Sequence, residues 1–211
     1  MDEVRSSTSS RVLRVEDEDG TWFLKAYWYR GLRAALRGAF RNTVFAPSRA
    51  RREQRALLRL EEAGVQPPLE AAIAEHRSFG LLCEARIVTR DFGGADLARR
   101  LATAPGDAGL DRDTWSALGS FVRAMHDAGV RDPDLVARNV LARERPDREH
   151  RQFEFAKIDA SSSWIVAEGR SRFRADEAAR RADVDRFARD LERLGAAAPC
   201  ITAMRTAIDR D

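Results

Sequence analysis

Residues 129–141 read Gly-Val-Arg-Asp-Pro-Asp-Leu-Val-Ala-Arg-Asn-Val-Leu, and this stretch decides the fold. Asp134 and Asn139 stand five positions apart in it, shortly after a helical pattern that ends at His126. A carboxylate can orient a hydroxyl nucleophile, and a nearby amide oxygen can hold a metal ion. Asp-Pro-Asp is also ordinary turn chemistry, so a purely loop-forming role is the alternative. Asp134 and Asn139 are therefore candidate site residues.

Further candidates lie on either side of this stretch. Asp159 ends the apolar strand pattern of residues 153–158. Lys25 lies within the strand-like apolar run 21–28, where a buried cation is costly unless an anion meets it. Glu53 falls on the core-facing side of a predicted helix. Glu53 is therefore the expected partner of Lys25.

Lysine is nearly absent from the chain. Lys25 and Lys157 are its two lysines, and the rest of its 37 basic residues are arginine. An ammonium is a compact point charge, so a lysine retained at position 25 indicates a specific anionic partner. The alternative is a strand lysine whose ammonium reaches solvent. Lys157 is predicted to be a strand residue.

Length and composition indicate a globular chain. Its 211 residues, 44% of them hydrophobic, suffice for one large domain or two small lobes. A net charge of +3 and the arginine excess suit an anionic partner such as a nucleotide, a phosphorylated sugar or a membrane surface. Cys83 and Cys200 lack the spacing of a metal site or a disulfide framework. With no signal-peptide pattern and no long apolar run, a cytoplasmic location is expected.

The pattern of elements changes at Phe92-Gly93-Gly94, which predicts an N-terminal lobe of residues 1–91 and a C-terminal lobe of 92–211. The first lobe is predicted to contain, in order, a hairpin of strands 11–15 and 21–29, a basic helix at 30–42, a helix from Pro47-Ser48 to Gly64, and strands at 79–83 and 85–89. The second is predicted to contain a helix capped by Asp111 or Asp113 and ended by Gly129, a hairpin of 140–142 with 153–158, and one more amphipathic helix around 184–194.

These residues together resemble the lipopolysaccharide kinase family of the Kdo and core-heptose type (Kdo/WaaP), which shares the protein-kinase-like fold. The resemblance covers residue 11 to about 165. It rests on the Lys25 strand, the basic stretch 30–45, the Glu53 helix, residues 125–141 and Lys157-Ile158-Asp159. It implies an α+β, two-lobed protein-kinase-like fold with a small β-rich N-lobe and a short, mainly helical C-lobe.

The resemblance also implies an activity and its site. A kinase of this type transfers phosphate from ATP to a sugar hydroxyl, here in the lipopolysaccharide inner core (Kdo or heptose). Asp134 would meet the hydroxyl, Lys25 with Glu53 would hold the α- and β-phosphates, and Asn139 with Asp159 would bind Mg²⁺. The implied partners are a nucleotide and an anionic sugar or glycolipid acceptor, and no nucleic acid is expected.

The chain departs from the family pattern in three places. Asp132 stands where such kinases usually have His, and Val136 stands where protein kinases have Lys. Asp132 is not the expected base, because the residue five positions later is Ala137, which cannot bind a metal. No glycine-rich loop is recognisable, and Ser6–Ser10 is the candidate replacement. Two alternatives stay open, a pseudokinase that binds a nucleotide as a scaffold and a small-molecule kinase of the aminoglycoside type.

A basic segment lies between the Lys25 strand and the Glu53 helix. Residues 30–55 contain eight arginines and one acid, Glu53. Arg33, Arg37 and Arg41 are spaced as one face of a helix, which could be an ordinary solvated face. Basic helices of this kind also bind anionic membrane surfaces. The segment therefore predicts a cytoplasmic protein that is peripheral to the inner membrane.

Overall fold

The computed structural model describes residues 2–29, 47–78, 81–145, 152–166 and 173–209. Within these ranges the strands are β1 (Asp2–Ser6), β2 (Ser10–Asp17), β3 (Gly20–Trp28), β4 (Ala72–Ser78), β5 (Leu81–Arg90), β6 (Ala95–Asp96), β7 (Val130–Arg131), β8 (Val140–Glu144), β9 (Phe153–Lys157) and β10 (Trp164–Ile165). The helices of the same ranges are α1 (Arg49–Glu62), α2 (Leu97–Thr103), α3 (Arg112–Asp127), α4 (Phe173–Arg193) and α5 (Ala198–Ile208).

Contacts between Cα atoms divide the chain into two units. The first comprises Met1–Leu58 and Pro68–Asp91, and the second comprises Arg59–Pro67 and Phe92–Asp211. Strands β1 to β5 belong to the first unit, and helices α2 to α5 belong to the second. The lobes predicted from the sequence differ from this division at Arg59–Pro67, which the prediction placed in the N-terminal lobe.

The first unit is built on a five-stranded antiparallel sheet in the order β1-β2-β3-β5-β4. Its central strand β3 places Lys25 opposite Val12 on one side and Ile87 on the other. Successive side chains of a strand point to opposite faces, so Lys25 and Tyr27 lie on the same face. The predicted hairpin of β2 and β3 is confirmed, with Asp17 paired to Gly20 at the turn.

Helix α1 begins and ends where the sequence predicts. The hydroxyl of Ser48 accepts a hydrogen bond from the Arg51 N–H at 3.0 Å, which is an N-cap interaction. Past the C-terminal end, Gly64 has a φ of +66°, a conformation that favours glycine. The buried face of the helix includes Ala50 and Leu57. This face carries Glu53 toward the core rather than toward solvent.

Residues 72–90 differ from the prediction. The strands predicted at 79–83 and 85–89 are wrong as separate elements, because residues 81–90 form the single strand β5. Glu84 does not interrupt it, since its carboxylate pairs at the surface with Arg86 at 2.7 Å. Strand β4 was not predicted. Ile73 is its one large aliphatic side chain, so its sequence lacks the strong apolar alternation by which strands are recognised.

Helix α3 forms the buried centre of the second unit. Of the two predicted caps, Asp111 is the N-cap, because its carboxylate accepts a hydrogen bond from the Thr114 N–H at 2.7 Å. Gly129 follows the helix with a φ of +84°, as the predicted helix end requires. The predicted apolar stripe is buried, and it consists of Trp115, Leu118, Phe121, Val122 and Met125.

The hairpin of β8 and β9 sets two loops side by side. The strands are antiparallel, with Val140 opposite Lys157. The loop that carries Asp134 and Asn139 ends at the start of β8, and Asp159 follows the end of β9. The predicted hairpin is confirmed over these strands. The central part of its predicted turn, residues 146–151, lies outside the described residues.

The amphipathic helix predicted around residues 184–194 is confirmed as part of α4, and a second helix, α5, follows it. Helix α5 escaped the sequence reading because Ala, Thr and Cys dilute its apolar pattern. It packs against α3. The two helices approach most closely at Gly119, where a Cβ would lie 2.1 Å from the Met204 carbonyl oxygen and 2.9 Å from the Ala207 Cβ. Gly119 therefore permits this helix contact.

Replacing Gly119 with Ala should destabilise the second unit. The added Cβ meets backbone that must move, at a cost of about 1–3 kcal/mol or more. Urea denaturation would measure the change in the free energy of unfolding. In an unobstructed helix the same substitution stabilises by up to about 1 kcal/mol, so the sign of the change is informative. The control is Ser120→Ala at the exposed neighbouring position, with an expected change within about 0.5 kcal/mol. A stabilised Gly119→Ala protein would contradict the helix contact.

Candidate active site

Lys25 and Glu53 meet in the first unit, as the sequence predicted. The Lys25 ammonium lies 3.5 Å from Glu53 Oε2, and their side chains are 14% and 5% exposed. The charge on each side chain is therefore largely removed from water and balanced by the other. The ammonium also lies 5.1 Å from the centre of the Tyr27 ring, within the range of a cation–π contact.

Tyr27 is a member of this cluster that sequence reasoning missed. Its hydroxyl donates a 2.7 Å hydrogen bond to Glu53 Oε2, the oxygen that also faces Lys25. Tyr27 is 2% exposed, and this bond satisfies its buried hydroxyl. Its position two residues after Lys25 on the same strand face is the signal that would have found it. Tyr27 thus holds the Glu53 carboxylate toward Lys25.

Asp134 and Asn139 contact each other directly in the second unit. The Asn139 amide nitrogen donates to the Asp134 carbonyl at 3.0 Å and to its carboxylate Oδ2 at 3.2 Å. The Asp134 side chain is 38% exposed, and its Oδ1 lies 3.6 Å from Arg138. Asn139 is buried. The arrangement orients an accessible carboxylate by means of a fixed amide.

Asp159 lies beside this pair. The Ile158 N–H donates to the Asn139 carbonyl at 2.9 Å, which joins the two loops at their stems. Asp159 has φ 53° and ψ 50°, in the left-handed region that aspartate tolerates better than most residues. Its Oδ1 accepts a 3.2 Å hydrogen bond from the Ser161 hydroxyl. The structure therefore brings together Asp134, Asn139 and Asp159.

Asn139 and Asp159 offer the oxygen donors that suit Mg²⁺. The amide nitrogen of Asn139 is directed at Asp134, which leaves the amide oxygen as its possible metal ligand. An amide oxygen and a carboxylate, completed by phosphate oxygens and water, form an ordinary Mg²⁺ set. Among the described residues, no group of three or more His, Cys, Asp or Glu side chains is placed to hold a metal ion. The residues present thus fit Mg²⁺ bound with a nucleotide.

Three aspartates of α4, seven residues apart, hold the loop that carries Asp134. Asp183 Oδ2 accepts from the Asp132 N–H at 2.9 Å, and Asp190 Oδ2 accepts from the Ala137 N–H at 2.8 Å. Asp176 receives two hydrogen bonds from the Arg131 guanidinium, both at 2.7 Å. Sequence reasoning missed all three. Their regular spacing, about two helical turns, is the signal that places them on one face.

His126 lies at the base of the same loop. It is buried, and its Nε2 lies 3.5 Å from Asp183 Oδ2. Its carbonyl accepts a 2.5 Å hydrogen bond from Arg131. These contacts tie the end of α3 to the start of the loop.

Asp132 is fully buried against the second lysine of the chain. Its Oδ2 lies 2.7 Å from the Lys157 ammonium, and both side chains are 0% exposed. Lys157 is the last residue of β9, which confirms that it is a strand residue. Its ion pair with Asp132 was not predicted.

The sequence also predicts two further segments of the site. The segment Ser6–Ser10 forms the exposed turn between β1 and β2, closed by a 2.8 Å hydrogen bond from the Ser7 N–H to the Ser10 carbonyl. Its proposed contact with phosphate stays a prediction. Arg33, Arg37 and Arg41 lie outside the described residues.

A groove of about 810 Å³ on the second unit has a different lining. Its described lining contains none of Asp134, Asn139 and Asp159. Three of its arginines, Arg180, Arg181 and Arg205, pair with acids of the same groove, as in the 2.7 Å pair of Arg180 with Asp127. Its positive charge is therefore already balanced, and its size alone indicates no anion site.

The fold matches that of a solved structure. A solved structure described as WaaP in complex with acyl carrier protein gives a TM-score of 0.68, with 22% sequence identity. The match covers 100% of this chain and 78% of that chain. A likeness at this identity establishes the fold. The chain therefore has the protein-kinase-like α+β fold predicted from its sequence, with a β-rich first unit and a mainly helical second unit.

The chain belongs to the lipopolysaccharide kinase (Kdo/WaaP) family, whose model matches residues 1–202. It is 31% identical over 144 residues to a 3-deoxy-D-manno-octulosonic acid kinase of Actinobacillus succinogenes. This alignment covers 61% of this chain and 58% of that protein. It is likewise 31% identical over 137 residues to the enzyme of that name from Haemophilus influenzae, covering 61% and 54%. The chain thus spans little more than half the length of these relatives. The family predicted from the sequence is confirmed.

In the part of the chain that the structure describes, every helix is too short or too polar to cross a membrane.

The pair of Arg131 and Asp176 should make stability depend on pH. The hydrogen bond from Arg131 lowers the pKa of Asp176 below its ordinary 3.8, although burial opposes the change. A carboxyl with a lowered native pKa stabilises the fold above its unfolded pKa, and the contribution disappears as the pH falls through the native value. At neutral pH, Asp176→Asn should therefore lower the free energy of unfolding by about 1–2 kcal/mol.

Urea denaturation of wild type and Asp176→Asn between about pH 3 and pH 7 checks this effect. The difference between the two proteins should be constant near neutral pH and shrink below about pH 4. Thr202→Ala on the exposed face of α5 is a control without a titrating group. A difference that grows as the pH falls would contradict the assignment.

Proposed function

We propose that this protein is a kinase that transfers the γ-phosphate of ATP to a sugar hydroxyl of lipopolysaccharide, on an inner-core 3-deoxy-D-manno-octulosonic acid residue. The observation that carries this proposal is the loop in which Asn139 orients the accessible Asp134 carboxylate beside Asp159. Family membership and the names of the relatives support the choice of reaction and acceptor.

Asp134 is the proposed base. Its carboxylate is partly exposed and can reach an incoming hydroxyl, while Asn139 fixes its orientation. The acceptor oxygen forms a bond to the γ-phosphorus, and the bond from that phosphorus to the β–γ bridging oxygen breaks. The hydroxyl proton passes to Asp134, and ADP leaves.

Lys25 is the proposed ligand of the α- and β-phosphates. Glu53 and Tyr27 hold its ammonium in place, so little conformational entropy remains to be lost when phosphate binds. Asn139 and Asp159 are the proposed Mg²⁺ ligands. When bound, Mg²⁺ neutralises phosphate charge and favours departure of ADP.

Acceptor-dependent formation of ADP from ATP, together with incorporation of phosphate into the acceptor, tests the activity of the purified protein. The acceptor is a lipid-linked saccharide that carries 3-deoxy-D-manno-octulosonic acid, compared with a heptose core oligosaccharide and an aminoglycoside. Asp134→Asn should lower kcat by about 10²–10⁴-fold, because the base is lost while the shape of the loop is kept. The control is Asp113→Asn on the exposed first turn of α3, which should keep wild-type turnover. Turnover only with the aminoglycoside would favour a small-molecule kinase.

A nucleotide-binding scaffold is the second candidate, since the turn Ser6–Ser10 lacks the glycines of a phosphate-covering loop. Thermal unfolding with ATP, with and without Mg²⁺, separates the two candidates. Both predict stabilisation by bound ATP. A kinase predicts Mg²⁺-dependent stabilisation that Asp159→Asn removes, together with turnover. Wild type that is stabilised but transfers no phosphate to any acceptor would support the scaffold.

The arginines at 33, 37 and 41 support a further proposal, that the protein binds an anionic membrane surface where its lipid-linked acceptor resides. Their sequence spacing gathers positive charge without intervening acids. Replacing all three with Gln should reduce binding to vesicles that contain anionic lipid, measured by sedimentation at physiological salt. Unchanged binding would contradict the role of this segment, while equal replacement of Arg112, Arg181 and Arg189 controls for net charge.

A further inference from the structure

Lys157 and Asp132 form a completely buried ion pair in the second unit, yet neither has a role in the proposed reaction. Both side chains are 0% exposed, with 2.7 Å between Lys157 Nζ and Asp132 Oδ2. Taking two charges out of water is costly, and a buried pair often adds no net stability over apolar residues of similar size. The pair therefore calls for an explanation other than stability.

Each partner also binds backbone close to a proposed site residue. Asp132 Oδ1 accepts a 2.9 Å hydrogen bond from the Asp134 N–H. Lys157 Nζ donates to the Ile158 carbonyl at 2.5 Å and lies 3.5 Å from the Asp159 carbonyl. The contacts run without interruption from the backbone at Asp134, through the ion pair, to the backbone at Asp159.

We propose that Lys157 and Asp132 are positioning residues that hold the Asp134 loop and the Asp159 loop at a fixed separation. This inference rests on the proposed function, in which both carboxylates serve one reaction. Neither positioning residue meets the reacting atoms, and each acts through the backbone that it binds.

The chemistry of the ammonium explains why an arginine-rich chain has lysine here. From one nitrogen, Lys157 pairs with the Asp132 carboxylate and donates to the carbonyls of Ile158 and Asp159, so its partners converge on a single point. A planar guanidinium spreads its donors over a fork and does not match such a point. Asp132 stands where the resembled kinases have histidine. Its carboxylate supplies the anion that the buried ammonium of Lys157 requires.

The double variant Asp132→Asn, Lys157→Met tests the proposal. Asn keeps an acceptor for the Asp134 N–H, Met approximates the length of the lysine chain, and no unpaired charge remains. In the folded variant, kcat should fall at least about tenfold while the KM for ATP changes less than about threefold. Amide hydrogen exchange should become faster in both residues 134–139 and 158–161. A merely structural role predicts a lower melting temperature with kcat and exchange in these loops unchanged.

A matched control removes another ion pair from the same unit. Arg205 lies 3.0 Å from Asp185, and Asp185→Asn with Arg205→Gln should leave both loops and kcat unchanged. If the Met variant does not fold, Asp132→Asn with Lys157→Gln serves instead, because the Gln amide can still donate to the Ile158 carbonyl.

The two readouts separate this inference from the proposed function. Faster exchange in both loops, with a wild type that phosphorylates no acceptor, would reject the kinase activity and retain the positioning role. Wild-type turnover in the folded double variant, or unchanged exchange in either loop, would overturn the positioning role.

Discussion

The candidate site of the second unit depends on carboxylates of α4 that accept hydrogen bonds from the Asp134 loop. A loop has no strand ladder to satisfy its backbone, so a buried loop N–H must find another acceptor. Asp183 and Asp190 meet that need, and charged acceptors form stronger hydrogen bonds than neutral ones. The loop is thus fixed to the long helix α4 by hydrogen bonds at Asp132 and at Ala137. Because these two residues lie on either side of Asp134, they determine the orientation of Asp134.

The local parts of this arrangement could be predicted from the sequence. The five-residue interval from Asp134 to Asn139, the acid after a buried strand and the core-facing Glu53 are each visible within a short window. The caps of α1 and α3 are visible for the same reason, since their donors and acceptors lie within three residues of each other. One sequence is enough to predict a contact or a site residue when the residues that act together lie close to each other in the chain.

The missing parts depend on residues that meet only after folding. Asp132 and Lys157 are 25 positions apart, and nothing near either residue identifies the other. The aspartates of α4 read as ordinary charges on a helix until their loop partners are known. Strand β4 and helix α5 are weakly patterned, and packing decides their structure rather than propensity, as the approach of Met204 to Gly119 shows for α5. Contacts between residues that are far apart in the chain could therefore not be predicted from one sequence.

The burial of Lys157 and Asp132 also has an evolutionary consequence. Loss of either charge alone leaves the other unpaired in the interior, at a cost of about 3–5 kcal/mol. A typical domain has only about 5–15 kcal/mol of stability in total, so most single replacements at these positions would be eliminated by selection. Descendants of this sequence should consequently exchange the two residues together or retain both. Positions 132 and 157 would then co-vary as a pair across an alignment, even though neither one touches substrate.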